Sequence, residues 1–155
     1  MIYKVKLKLT TNFLGGGSRK KNTSVRMLNY TESGLVAINE SEWRDNFKLA
    51  AKQLGLKVDT KNFIFACGFD AAGKIKILKR TYNKVNVDLF EGIERGNTIE
   101  VEFTYKDIPE NSPEPDAVRG ILEIIGKFYG MSQWGCKFHC GRFTVLNVER
   151  IIFNE

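Results

Sequence analysis

The strict alternation of residues 2–9 constrains the fold most, because it requires a sheet with one buried and one solvated face. Apolar side chains occupy one face of this predicted strand, and three lysines occupy the other. Residues 98–105 alternate in the same way, with Glu100 and Glu102 at outward positions. If the two strands pair, opposite charges meet across the solvent face and stabilise it modestly. The exposed face is therefore predicted to be self-neutralised rather than a cationic platform.

The remaining patterns predict two helices and several further strands. Asn39 and Glu42 form a capping-box pattern ahead of apolar residues at helical spacing, and Gly55 is suited to end that helix. Ser112 before Pro113 is typical of a second helix start. The other predicted elements are a hairpin of strands 24–29 and 35–38, a helix over 41–54, strands 63–67 and 74–82 joined by the turn 70–73, a helix reaching residue 129, and a final strand over 142–153.

Two details of the C-terminal half predict irregular geometry. Gly120 and Gly126 lie within the second helix, and each weakens a helix by about 1 kcal/mol relative to alanine. Tight packing or a bend is therefore expected there. The final strand changes its alternation phase between Val145 and Leu146, which predicts a β-bulge.

Without the early hairpin, the order of elements is β-α-β-β-α-β, the ferredoxin-like arrangement. We therefore predict one α+β domain over residues 1–155, with an antiparallel sheet in the order 4-1-3-2, two helices on one face and a β-hairpin inserted after the first strand. In this topology the loop Gly15–Lys21 lies at the same end of the sheet as the loop Gly126–Arg142. The segment 83–97 is expected to return to that end as well.

The composition limits the cellular compartments and the classes of partner that fit this chain. The chain of 155 residues carries 24 Lys and Arg against 18 Asp and Glu, and the resulting charge of +6 is compatible with phosphate-bearing partners. It has no run of about 18 apolar residues and no apolar secretory signal. Its three cysteines fit a reducing compartment better than a disulfide framework. We expect a cytoplasmic protein that does not enter a membrane.

Two glycine-rich loops are the candidate binding site. Main-chain N–H groups beside Lys and Arg side chains can form a nest for anions. Trp134 is a candidate for stacking on a base, and His139 is a candidate hydrogen-bonding residue. The alternative is that the glycines only permit tight turns at the end of the sheet. The predicted ligand-binding residues are Gly15, Gly16, Gly17, Arg19, Lys20, Lys21, Trp134, Lys137, His139, Gly141 and Arg142.

The sequence resembles a known superfamily at both of its ends. A first strand running into Phe13–Gly17, the β-α-β-β-α-β order, and a glycine-rich loop ending in Gly141-Arg142-Phe143 are similar to the RAMP superfamily of CRISPR-associated RNA-binding proteins. The resemblance implies RNA as the ligand. It also implies that Gly135, Lys137, Gly141 and Arg142 contact a nucleotide backbone. The size fits a single-domain relative, with a phage or another mobile element as one candidate origin.

We therefore predict non-catalytic binding of RNA or of a phosphate-bearing nucleotide, without a cofactor or metal, and with a CRISPR or other defence-system protein as a further candidate partner. One alternative is a phage-encoded anti-defence protein, acting as an anti-CRISPR or by sequestering a nucleotide. Another is a small metal-independent endoribonuclease, since some RAMP relatives cut RNA and the single histidine, His139, is a weak candidate acid or base. The spacing of Cys136, His139 and Cys140 matches no common structural zinc pattern, so buried thiols are favoured.

Overall fold

A computed structural model of the chain describes residues 1–65, 68–82, 86–133 and 141–152. Besides its α-helices, the chain forms short 3₁₀-helical turns at Thr60–Asn62 and Pro109–Asn111 and a π-helical turn at Ile125–Tyr129. The strands are β1 (Ile2–Leu9), β2 (Phe13–Leu14), β3 (Val25–Arg26), β4 (Val36–Ala37), β5 (Phe63–Phe65), β6 (Gly68–Phe69), β7 (Ile75–Tyr82), β8 (Asn86–Ile93), β9 (Thr98–Tyr105) and β10 (Phe143–Ile151), and the α-helices are α1 (Glu40–Gln53) and α2 (Pro115–Ile124).

The central sheet has the predicted strand order. Its strands are arranged β10-β1-β9-β5, which is the order 4-1-3-2 of the ferredoxin-like fold, and its neighbours are antiparallel. Lys4 lies opposite Glu102, and Lys6 lies opposite Glu100. The Lys4 Nζ to Glu102 Oε1 distance is 3.9 Å. The predicted pairing of β1 with β9 and the charge complementarity of the exposed face are therefore confirmed.

The other face of the central sheet carries an aromatic core. The ring of Phe47 from α1 lies 4.9 Å from that of Phe63 and 6.0 Å from that of Phe103, measured between centroids. Tyr3 of β1 joins the same group, with its ring 5.6 Å from that of Phe103. Helix α2 contributes the fully buried side chains of Val118, Ile121 and Leu122. Because the two helices bury their apolar stripes together with this face of the sheet, the α+β ferredoxin-like prediction is confirmed.

The chain also forms a second sheet, and one of its strands, β8, was not predicted from the sequence. Strands β7 and β8 pair as an antiparallel hairpin, while β2 pairs antiparallel and β3 parallel with β8. The predicted strand 74–82 is therefore present as β7, outside the central sheet. Strand β8 was missed because Glu91 and Gly92 interrupt its apolar pattern. Contacts with distant segments explain both residue types. Glu91 Oε1 accepts from the Leu28 N–H at 3.1 Å, and a Cβ at Gly92 would collide with the Phe13 carbonyl oxygen.

The hairpin predicted after the first strand is only partly correct. A turn is present, with the Thr31 N–H donating to the Leu35 carbonyl at 2.8 Å and a single bridge between Tyr30 and Val36. The flanking segments pair elsewhere, because β3 joins β8 and β4 joins β6. The local sequence of a two-residue strand is too short to determine its pairing partner. The pairing is therefore determined by which strand edges are available nearby.

The start of α1 shows one half of the predicted capping box. Asn39 Oδ1 accepts from the Glu42 N–H at 3.2 Å, as expected of an N-cap residue. The reciprocal bond is replaced by contacts to Ser132. The Asn39 N–H donates to the Ser132 carbonyl at 2.9 Å, and the Ser132 hydroxyl donates to Glu42 Oε2 at 2.8 Å. The helix start is thereby attached to the base of the second glycine-rich loop.

Helix α2 begins later than predicted and ends in a distortion at the expected place. Its first residue is Pro115, since Ser112 belongs to the preceding turn, where its hydroxyl donates to the Pro109 carbonyl at 2.6 Å. Ile125–Tyr129 form the π-helical turn, a common cause of a helix bend. A Cβ at Gly126 would collide with the carbonyl oxygen of Phe143. The tight packing predicted from this glycine is therefore present.

The predicted bulge lies in β10. Lys6 pairs with Asn147, whereas the next residue, Leu7, pairs with Val145. Leu146 is therefore the extra residue on the β10 side, and this accounts for the phase change in the sequence.

The two glycines of the second helix are expected to respond to alanine in opposite directions. Gly126→Ala places a Cβ against backbone that cannot move aside, and we expect it to destabilise the protein by about 1–3 kcal/mol. Gly120→Ala meets only the flexible, exposed end of Leu54 at 3.3 Å, and the gain in helix propensity is expected to stabilise by up to about 1 kcal/mol. Urea denaturation of both variants measures the difference. Equal effects would contradict the packing described here.

Tyr3 predicts a specific alkaline sensitivity. Its hydroxyl donates to the Pro113 carbonyl at 2.5 Å, and burial raises the pKa of the phenol. Because the folded state holds the proton more tightly than the unfolded state, this stabilisation is present below about pH 10 and is lost as pH rises through the raised folded pKa. In urea denaturation between pH 8 and pH 11, the free energy of unfolding should fall less steeply in Tyr3→Phe than in the parent. Parallel curves would show that this phenol does not contribute.

Candidate functional site

The bases of the two predicted loops meet at the end of β1. The Thr10 N–H donates to the Arg142 carbonyl at 2.8 Å, and the Gly141 N–H donates to the Asn12 carbonyl at 2.9 Å. The Met131 N–H donates to the Gly141 carbonyl at 2.9 Å and so closes the second loop at its base. The convergence predicted from topology is therefore present at both loop bases.

The segment that follows β8 reaches the same end of the sheet. The Arg95 N–H donates to Asn12 Oδ1 at 2.8 Å, and the Gly96 N–H donates to the Leu9 carbonyl at 2.8 Å. The base of the second loop and the segment after β8 thus both contact the residues that lead from β1 into the first loop. This is the convergence predicted for the two loops and for segment 83–97.

Gln133 holds this end of the structure together, although no sequence pattern predicted a role for it. Its side chain is 2% exposed. Oε1 accepts from the Gly16 N–H at 3.0 Å and from the Asn29 N–H at 2.9 Å. Nε2 donates to the carbonyl oxygens of Asn29 and Ala37 at 2.9 and 2.8 Å. One amide therefore bonds four partly buried main-chain groups from three positions in the segment between β1 and α1.

The glycines of the first loop serve close backbone packing. The Gly15 N–H donates to the Glu91 carbonyl at 2.8 Å, the Gly16 N–H to Gln133, and the Gly17 N–H to the Met27 carbonyl at 2.9 Å. A Cβ at Gly15 would lie 2.5 Å from the Met27 carbonyl oxygen. All three amides are thus engaged within the protein, which corrects the expectation that they form an anion nest. Contact of these positions with a ligand stays a prediction.

The last two residues of the second loop are described, and both are tied into the fold. Gly141 has a φ of 61°, and a Cβ there would collide with the Met131 carbonyl oxygen, so glycine is required. The Arg142 N–H donates to Thr11 Oγ1 at 2.8 Å, and its side chain is half-buried. One guanidinium nitrogen makes a long bond of 3.4 Å to the Phe128 carbonyl.

The cations of the first loop belong to a hairpin, residues Ser18–Met27, which we call the basic hairpin. Arg19 and Arg26 face each other in an antiparallel bridge, and the Lys20 N–H donates to the Val25 carbonyl at 2.7 Å. Asn22 takes a positive φ of 63° in the connecting turn. The side chains that this hairpin presents to solvent include those of Arg19, Lys20, Lys21 and Arg26. Arg26 was not predicted as a site residue.

The basic hairpin lies in a part of the sequence without negative charge. Residues 1–31 contain no Asp or Glu, so the first carboxylate of the chain is Glu32. Among the described residues, no ion pair involves a cation of this hairpin. The absence of acids, together with a turn-forming Asn-Thr-Ser run, is the signal that could have identified Arg26.

Other predicted residues fall outside the described ranges. Trp134, Gly135, Lys137 and His139 are among them, and their roles in stacking, backbone contact or catalysis stay predictions. The cysteines considered for a zinc site, Cys67, Cys136 and Cys140, also lie outside these ranges. Of the helices that are described, none combines the length and apolar character needed to cross a membrane.

Comparisons with known proteins support the fold. No protein-family model matches the chain, and no curated protein matches it. A chain of the structure titled "Cryo-EM structure of the Type III-B Cmr-beta bound to cognate target RNA" is similar, with a TM-score of 0.57 and 14% sequence identity. The similarity covers 96% of this chain and 59% of that chain, so the present chain spans about three fifths of its neighbour. At this identity the similarity shows a shared fold alone.

Replacing the buried amide should separate the loops from the core. Gln133→Leu introduces an apolar side chain of similar size. It leaves the N–H groups of Gly16 and Asn29 and the carbonyl of Ala37 without this partner, while the Asn29 carbonyl keeps its bond from the Ala37 N–H at 2.9 Å. Since an unsatisfied buried polar group costs about 1–3 kcal/mol, we expect a loss of at least about 3 kcal/mol in the free energy of unfolding.

Gln53→Leu is the matched control for this variant. Gln53 is exposed, and within the described ranges its side chain donates only to the Tyr129 hydroxyl, at 3.3 Å. We expect its stability to change by less than about 0.5 kcal/mol, as is usual for surface substitutions. If Gln133→Leu were as mild as the control in urea denaturation, the four bonds would not hold the loops.

Proposed function

We propose that this protein binds RNA non-catalytically, through the basic hairpin and the rim formed by the two glycine-rich loops. The observation that carries the proposal is the basic hairpin itself. Four cations project into solvent at the end of the sheet where the loops converge, and among the described residues none of them makes an ion pair. Unpaired surface cations bind a phosphate backbone mainly by releasing its condensed counterions.

The fold comparison supports the same ligand class. The structural neighbour is a chain of a structure described as the type III-B Cmr-beta bound to cognate target RNA. The RAMP resemblance of the sequence points to the same kind of partner from independent residues at the two chain ends. We therefore propose RNA and a CRISPR or other defence-system protein as the partners of this chain.

Fewer structural observations support the other functions that the sequence suggested. The anti-defence function is supported by no particular contact among the described residues. The endoribonuclease alternative depends on His139, which lies outside them. In the proposed function, the candidate residues of the second loop add contacts to the nucleotide backbone, and Trp134 stacks on a base.

Removing the hairpin charges should weaken RNA binding and its dependence on salt. The variant Arg19→Gln, Lys20→Gln, Lys21→Gln removes three exposed cations from the hairpin. For a single strand, each phosphate contact contributes about −0.7 to the slope of log K against log salt. We expect the slope measured by filter binding of a single-stranded RNA to become shallower by about 2 and the affinity at low salt to fall.

A charge-matched control separates a specific surface from general attraction. Lys57, Lys61 and Lys106 are also exposed and lie at the opposite end of the central sheet, where the Tyr105 N–H donates to the Met1 carbonyl. Their triple glutamine variant changes the net charge by the same amount. It should retain most of the RNA affinity. Equal loss in the two variants, or no RNA binding by the parent, would refute the proposed function.

A further inference from the structure

A cavity of about 460 Å³ opens beside the loop bases, between the residues that follow β1, the end of α2 and the start of β10. This volume lies within the range of small-molecule sites. Gly126 forms part of its wall, and the missing side chain there brings the helix against Phe143. Phe143 and Val145 add apolar surface, while Thr10 and Thr144 place hydroxyl groups at the cavity.

The charged residues that line this cavity give it a positive balance. Lys127 is exposed, and Arg142 is half-buried beside it in the lining. The third charged residue of the lining, Glu123, is engaged by Arg119, with 3.1 Å between Nε and Oε1. Within the part of the chain that the structure describes, Lys127 makes no ion pair. An anion entering the cavity would therefore meet two cations that carry no compensating carboxylate of their own.

Arg142 also has unused hydrogen-bonding capacity. Its Nε is shielded from solvent and has no acceptor among the described residues, and its bond to the Phe128 carbonyl is long at 3.4 Å. A buried donor without a partner costs about 1–3 kcal/mol, more for a charged group, and guanidinium groups match phosphate oxygens well. Binding an anion would let this guanidinium exchange a poor bond for charge-assisted ones.

We propose that this cavity is a nucleotide subsite, in which Lys127 and Arg142 hold a phosphoryl group, Thr10 and Thr144 donate hydroxyl hydrogen bonds, and the apolar wall packs against the base or sugar. The ligand is a phosphate-bearing nucleotide, either free or as one residue of an RNA strand. The subsite deepens the proposed RNA binding, and its RNA form rests on that function. It adds Lys127, Thr10 and Thr144 to the residues that the sequence indicated.

The test uses the full chain and isothermal titration calorimetry at low salt, with uridine 5′-monophosphate, uridine and inorganic phosphate as separate probes. We expect the monophosphate to bind at least about 10-fold more tightly than uridine, because charge-assisted hydrogen bonds to phosphate contribute about 1.5–3 kcal/mol. The double variant Lys127→Gln, Thr144→Val changes two exposed side chains and should reduce that affinity by about 10-fold or more. Lys106→Gln, at the far end of the sheet, should leave it unchanged.

A competition experiment distinguishes a free nucleotide from a nucleotide within an RNA strand. If a single-stranded RNA displaces the monophosphate and loses affinity in the double variant, the subsite holds a nucleotide within RNA. If the monophosphate binds but RNA does not compete, the subsite takes a free nucleotide. Equal binding of uridine and its monophosphate, or equal affinity of the double variant and the parent, would overturn the subsite.

The hairpin variant keeps this result independent of the proposed function. Arg19→Gln, Lys20→Gln, Lys21→Gln should bind the monophosphate as the parent does, since none of the three residues lines the cavity. Loss of RNA binding with an intact monophosphate affinity would show that the two surfaces act separately. Failure of the parent to bind RNA, with a functional cavity, would refute the proposed function alone.

Discussion

The path of the chain between β1 and α1 depends on the side-chain amide of Gln133. This segment contains only three two-residue strands, so it has few regular hydrogen bonds of its own. Gln133 replaces them by bonding main-chain groups of Gly16, Asn29 and Ala37. A buried amide that satisfies all of its partners fixes one arrangement, because any displacement leaves several groups unpaired. Together with the pairing of β3 with β8, this residue sets the orientation of the basic hairpin relative to the sheet.

The central sheet was predictable because its information is local. The alternation of β1 and β9 and the complementary charges at Lys4, Lys6, Glu100 and Glu102 define both the buried face and the pairing. The second sheet was not predictable in the same way. Glu91 in β8 is explained by the Leu28 amide and Gly92 by the backbone of Phe13, and both are contacts between distant segments.

The candidate site was predicted in position and only partly in chemistry. Topology placed the loop bases together, and the contacts of Asn12 with Gly141 and Arg95 agree with that placement. Glycine content suggested free amides, but a glycine chosen for close backbone approach, such as Gly15, is exactly where an amide finds an internal acceptor. The cations of the hairpin and the lining of the cavity therefore carry the charge that the amides were expected to supply.

The bulge in β10 has a consequence for how the protein can assemble. In the described structure β10 is an outer strand of the central sheet, and such a strand is a template on which further chains polymerise. Leu146 breaks the even spacing of its main-chain groups, and the Arg119 guanidinium covers the Val145 carbonyl at 3.1 Å. Both features discourage an additional strand from annealing there. Larger particles built from this protein would then be joined through loops and side chains rather than by extending the sheet across β10.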